Sequence, residues 1–181
     1  MSETLRVILL IALIAAFLTT GALLLSWWME SERRLRRALR KALGTTPELQ
    51  ALAPAEGRAA GLDFESEQLV VLWKRGAQGL LYAFEEVLGA EIIVDGHVVA
   101  RVLRAQVRKD LDVLAPDAEH VVLRLMFNDT RHPEFELGLW DANWVAPAPG
   151  QVRNAPPIGS PSEGLRLGRR WLSHIEALTK R

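Results

Sequence analysis

The chain has 181 residues, no Cys, and 22 basic against 22 acidic side chains. An apolar content of 49% excludes disorder throughout, and the missing Cys excludes a disulfide scaffold and a thiolate metal site. The length is that of one domain, or of one domain with an appendage.

Residues 1–6 are a short N-terminal tail. Val7 to Trp28 follows as a run without charge. At 1.5 Å per residue it makes about 33 Å of helix, enough for a hydrocarbon core of about 30 Å. Residues 7–28 therefore predict a transmembrane helix, with Trp27 and Trp28 as interfacial anchors at headgroup level. A cleaved signal peptide fits less well, because the start holds only Arg6 and a cut near Gly21 would leave three leucines and two tryptophans exposed. One Arg precedes the span, whereas Arg33, Arg34, Arg36, Arg37, Arg40 and Lys41 follow it. The basic side stays in the cytoplasm. The expectation is a single-pass protein of a bacterial inner membrane, N-terminus outside and C-terminal domain cytoplasmic. Ala12, Ala16 and Thr20 form a weak small-residue packing motif, through which spans pair into a homo-oligomer.

Residues 29–44 predict a basic amphipathic juxtamembrane helix ending at Gly44. Its six basic residues fall on an arc of about 160°, and Leu35, Ala38, Leu39, Ala42 and Leu43 fill the opposite arc. Two readings follow. The helix lies on the bilayer as a lipid-binding surface, each basic residue near anionic headgroups contributing about 1 kcal/mol. Alternatively the charges set topology alone and the leucines pack on protein. Nucleic acid is not an expected partner, because the patch is short and lacks interleaved aromatics. Residues 44–181 carry 15 basic and 19 acidic groups, a balance that does not draw phosphates.

Residues 45–61, rich in Ala, Pro and Gly, read as a linker. A β-rich domain with a C-terminal helix is expected over 62–181. Leu62 to Phe64 and Leu69 to Lys74 flank Glu65-Ser66-Glu67 as a hairpin would. Asp95-Gly96 sits between two β-branched runs over Ala90 to Leu103, a type I′ hairpin signal. Arg104 to Asp117 settles on no period. His120 to Phe127 reads as a strand, and Phe135 to Trp140 pairs back across the polar turn Asn128 to Pro133. Ala142 to Pro161 holds five prolines and reads as a long surface loop. Ser160-Pro161-Ser162-Glu163 is a capping box that opens a final helix. Its apolar stripe is Leu165, Gly168, Trp171, Leu172, Ile175 and Leu178.

Antiparallel strands closed by one helix predict an α+β fold, a small barrel or sandwich capped by the C-terminal helix. The segments LDFESEQLVVL (62–72), FEEVLGAEIIVDG (84–96), VVLRLMF (121–127) and the helix around Trp171 carry a resemblance over about residues 62–180. They resemble pleckstrin-homology-like domains, and a group of uncharacterised bacterial single-span membrane proteins that place such a domain after one span. The resemblance implies a PH-like barrel. It does not imply phosphoinositide binding at the first loop, which holds Glu65, Ser66 and Glu67 instead of basic residues.

Sites for chemistry are few. His97, His120, His132 and His174 lack metal-ligand spacing, so no metal site is expected. No phosphate loop and no nucleophile elbow occurs, and no cofactor is expected. Asp129 could orient His132 as a general base, but a nucleophile is missing. Glu134 and Glu136 share one strand face, the mark of a solvated face. Trp140 and Trp144 flank Asp141-Ala142-Asn143 and are partner-binding candidates, although plugging a small core explains them as well. The functional expectation is a membrane-tethered, non-enzymatic interaction, scaffold or regulatory module with the bilayer and a protein as partners. An anionic-lipid sensor built on the basic helix is the alternative, and a hydrolase centred on Asp129 and His132 ranks below it.

Overall fold

The computed structural model of the chain describes residues 3–110, 117–144 and 159–180; the side chains of 3–11, 22–29 and 144 lie outside the described set. One helix, α1 (Glu3–Leu43), runs through both segments expected to be separate helices. No helix among the described residues is long and apolar enough to cross a membrane. This corrects the transmembrane, single-pass and inner-membrane expectations together. Of the apolar run, the side chains of Ala12 to Gly21 are described. Leu13, Ile14, Phe17 and Leu18 on that stretch are exposed. Trp27 and Trp28, expected as anchors, fall among the side chains outside the described set.

The C-terminal part of α1 packs on protein. Leu35, Leu39 and Leu43 are buried with Leu52, Ala59, Val70 and Leu72 in a cluster of their own. Arg33, Arg34, Arg36, Arg37, Arg40 and Lys41 face outward, and Glu30 and Glu32 pair with Arg34 and Arg36 one turn on. The two-faced pattern is that of a helix covering a sheet: leucines inward, guanidinium groups in solvent.

Residues 45–61 are not a linker. They hold β1 (Leu49–Ala53) and the start of β2 (Arg58–Asp63). With β3 (Gln68–Trp73) and β4 (Gln78–Ala83) these form a four-stranded antiparallel meander, sheet A, in the order β1-β2-β3-β4. Small residues conceal strands here. Ala51, Ala53, Ala59 and Ala60 are each at most 1% exposed, because sheet A is covered on both faces. β5 (Val87–Val94), β6 (His97–Leu103), the two-residue β7 (Lys109–Asp110), β8 (His120–Phe127) and β9 (Glu134–Asp141) form sheet B, in the order β7-β6-β5-β8-β9. The β5–β6 turn has positive φ at both Asp95 and Gly96, as type I′ requires. The Asp95 carboxylate also accepts the amides of Glu119 and His120, joining this turn to the start of β8.

Helix α2 (Pro161–Thr179) begins as its sequence predicts. Ser160 Oγ accepts the Glu163 amide at 3.2 Å, while the Glu163 carboxylate reaches one residue further back, to the Gly159 amide at 2.9 Å. The stripe from Leu165 to Leu178 is buried on β5, β6, β8 and β9. Gly164 and Gly168 set the approach: a Cβ at Gly168 would lie 3.1 Å from the Ile92 side chain. Beside α2, the Leu62, Leu69 and Val71 face of sheet A joins the same core.

The sheets do not close. β1 lies beside β9, yet no ladder joins them. Side chains of the β1–β2 hairpin meet the β9 edge instead: Arg58 Nη1 donates to the Glu136 carbonyl at 2.8 Å, and the Glu56 carboxylate accepts the Gly138 amide. Two open sheets with α2 on one and α1 on the other therefore replace the expected PH-like barrel. The Ala142 to Pro161 loop lies mostly outside the described residues, apart from a 3-10 turn at Ala142–Trp144 and residues 159–161.

Asp63 fastens the end of α1 to the β2–β3 hairpin. Its carboxylate accepts Thr45 Oγ1 and Ser66 Oγ, each at 2.7 Å, and the Glu65 amide at 3.1 Å. The Ser66 and then the Thr45 hydroxyl hold this carboxyl below its usual range. A depressed folded-state pKa means that the unfolded chain takes up the proton first, so this stabilisation is present above about pH 4 and is lost as pH falls further. Urea midpoints measured from pH 6 to pH 2.5 should fall less steeply for Asp63→Asn than for the parent. Parallel curves would remove Asp63 from the acid response.

Candidate functional site

Where the inner face of sheet A runs past the end of β9, the two sheets leave a groove of about 370 Å³. The period of two in a strand aims alternate side chains into it. From sheet A come Val71 and Trp73 on β3, Leu80 and Tyr82 on β4, and Arg58 on β2. From sheet B come Phe127 on β8, Glu134, Phe135 and Glu136 on β9, and His132 on the turn between them. Tyr82 and Phe127 stack at 4.0 Å between ring centroids and form the buried floor. Trp73 lies 5.9 Å from the His132 ring and 6.5 Å from the Phe135 ring, and these three are only partly covered or exposed. Trp73 is held by a 3.0 Å hydrogen bond from its Nε1 to Gln78 Oε1. The Arg58 guanidinium sits 5.8 Å from the Phe135 ring centre, a cation–π contact.

Behind the groove, sheet B carries a ladder of alternating charge on its other face. The register sets Glu91 between Arg101 and Arg124, and Arg124 opposite Glu136. Arg101 binds the Glu91 carboxylate, Arg124 reaches it at 3.2 Å, and Arg124 also meets Glu136 at 2.7 Å and Glu134 at 3.5 Å. Glu91 is 3% exposed, a burial that a carboxylate tolerates when paired on both sides. Glu134 and Glu136 share a solvated face, as expected, and both also pair with Arg124.

Asp129 and His132 are brought together, with Nδ1 3.6 Å from Oδ2. The third member is Tyr82, whose hydroxyl donates to Asp129 Oδ2 at 3.1 Å. The Asp129 carboxyl is held below its usual range, chiefly by the Arg131 amide, and burial followed by the Asp129 contact pushes the Tyr82 phenol well up. A phenol so held stays protonated and is a poor nucleophile. Among the described residues, no serine or threonine lines the groove. The triad ties the β8–β9 turn to β4.

The other sequence candidates disperse. Trp140 is buried, its Nε1 donating to the Ala118 carbonyl at 3.1 Å, so it plugs the core and presents no surface to a partner. The Trp144 side chain lies outside the described residues. His97 contacts the Asp95 carbonyl, His120 lies 3.8 Å from Asp141, and the His174 ring packs on Phe64. Among the described residues no group of three His, Asp or Glu could hold a metal. The basic residues of α1, Arg33 to Lys41, lie on the far face of sheet A from the core that α2 shares.

Trp73, Tyr82, Phe127 and Phe135 carry no sequence motif. Their one sequence signal is an aromatic residue near the end of a strand that flanks a short turn, which serves a core equally well. The chain matches no family model, no curated protein and no solved structure, so the chemistry of this groove is the ground for a functional reading.

Proposed function

We propose that the chain is a non-enzymatic interaction module and that the aromatic groove is its binding face. The observation that supports this is an open groove whose rings are fixed from two separate sheets. Partly exposed aromatic side chains that neighbours already hold in place lose little entropy on binding, which is why they dominate binding hot spots. Tyr82 and Phe127 make a rigid floor, Trp73 and Phe135 make walls, and Arg58 and Glu134 supply charge at the rim. The lipid-sensing alternative is disfavoured by the burial of Leu35, Leu39 and Leu43 against sheet A, which leaves the basic helix no apolar side there to insert.

The test is a selection of displayed random dodecapeptides against the full chain, followed by calorimetric titration of the enriched sequences. Trp73→Ala and Phe135→Ala should each weaken binding about 30-fold, the scale of an aromatic hot spot of about 2 kcal/mol. Both side chains are partly exposed, so the thermal midpoints should move by only a few degrees. Failure to enrich any sequence, or enriched peptides that bind Trp73→Ala as well as the parent, would remove the groove as a binding face.

A further inference from the structure

We infer that the occupant of this groove is an extended peptide that adds to β4 as a fifth strand of sheet A and sets a basic side chain among the rings. The inference rests on the reading of the groove as a binding face and names what fills it.

The first support is the edge inventory. Four strands lie at sheet edges: β1 and β4 in sheet A, β7 and β9 in sheet B. β1 and β9 lie against each other, and side chains of Arg58 and Glu56 meet the Glu136 carbonyl and Gly138 amide of β9. β7 spans two residues among the described ones, a shorter edge than β4. β4 has six, and among the described residues no strand pairs with its outer edge. An edge of that length presents a row of main-chain donors and acceptors, the requirement for strand addition.

The second support is register. Val71 pairs with Leu80 and Leu69 with Tyr82, so Leu80 and Tyr82 share the groove face of β4 while Leu81 points away and is exposed. A strand laid beside β4 sends every second side chain over the same face, beside Leu80 and Tyr82, where Tyr82 meets Asp129 and Asp129 meets His132. Backbone pairing and the groove would thus be used by one ligand together.

The third support is charge. Glu134, Glu136 and the neighbouring Asp129 still outnumber Arg58 and the single Arg124 that the two glutamates share, and Trp, Tyr and Phe faces are electron-rich. A guanidinium or ammonium entering there meets both carboxylates and ring faces, an arrangement that favours a cation over an anionic or neutral side chain.

The experiment uses the full chain with peptides selected against it. Single N-methyl groups placed along the peptide should cost at least about tenfold at every second residue and little between, because each removes one main-chain donor. Replacing the basic residue by norleucine should also cost at least about tenfold. On peptide addition, alternate amides of residues 78–83 should gain protection from hydrogen exchange. Peptides that bind but tolerate N-methylation throughout would overturn strand addition while leaving the groove standing. Tolerance of norleucine would overturn the cationic preference. A chain that sediments alone as a dimer with its β4 amides already protected would assign the edge to a second copy and overturn the inference. No peptide enrichment at all would instead count against the groove itself.

Discussion

Replacing Trp171 with Ala is expected to lower the unfolding free energy by about 4 kcal/mol, the cost of emptying a large aromatic from a packed core. Trp171 is 0% exposed and sits mid-stripe on α2, between Gly168 and Ile175, in the core that both sheets share. The void could not collapse easily, because α2 is held at both ends. Ser160 and Glu163 cap its start, and Arg108 reaches Glu176 near its end at 3.3 Å. Trp171→Phe should cost only about 1 kcal/mol. The indole N–H is buried without an acceptor among the described residues, so phenylalanine leaves a smaller cavity and also removes an unpaired donor. Urea unfolding of the two variants separates these terms. A loss below about 1 kcal/mol for the alanine variant would mean that α2 is not the keystone of this core.

Leu39→Ala is expected to cost about 3 kcal/mol, with an effect on structure unlike that of Trp171. Leu39 is 0% exposed, and its Cδ2 lies 3.3 Å from where a Cβ on Gly61 would stand. Among the described residues its cluster holds Leu35, Leu43, Leu52, Ala59, Val70, Leu72 and the partly covered Ala38, and it lies on the opposite face of sheet A from α2. Adding Leu35→Ala should therefore loosen α1 from the sheet while α2 and sheet B stay packed. Hydrogen exchange should accelerate at amides 33–43 and on β2 and β3, with α2 unchanged. Equal acceleration in α2 would show that the two faces of sheet A unfold as one unit.

The local signals in the chain reported local structure faithfully. Ser160, Pro161 and Glu163 start a helix where capping chemistry says they should, since the partners are three residues apart. Asp95-Gly96 makes its turn because the required φ values belong to those two residue types. The even arcs of residues 33–43 gave the correct inward face of α1, though not what that face meets. Signals that depend on context failed. Residues 45–61 look like a linker because Ala and Gly carry no β signature, yet burial between α1 and the shared core turns them into two strands. The apolar run of residues 7–28 suggested a span, but no helix among the described residues is long and apolar enough for one. For Trp140 the sequence left partner binding and core plugging both open, and its indole points inward to Ala118.

Composition, turns, caps and the two-faced periodicities of single elements were thus determined by the sequence alone, because each depends on residues within a few positions of one another. The groove depended on the tertiary structure. Arg58, Trp73, Tyr82, Phe127, His132 and Phe135 come from two sheets, and they meet because the β1–β2 hairpin satisfies the β9 edge with side chains and leaves the sheets unclosed. That outcome rests on which edge finds a hydrogen-bond partner, a question settled only when every strand is in place.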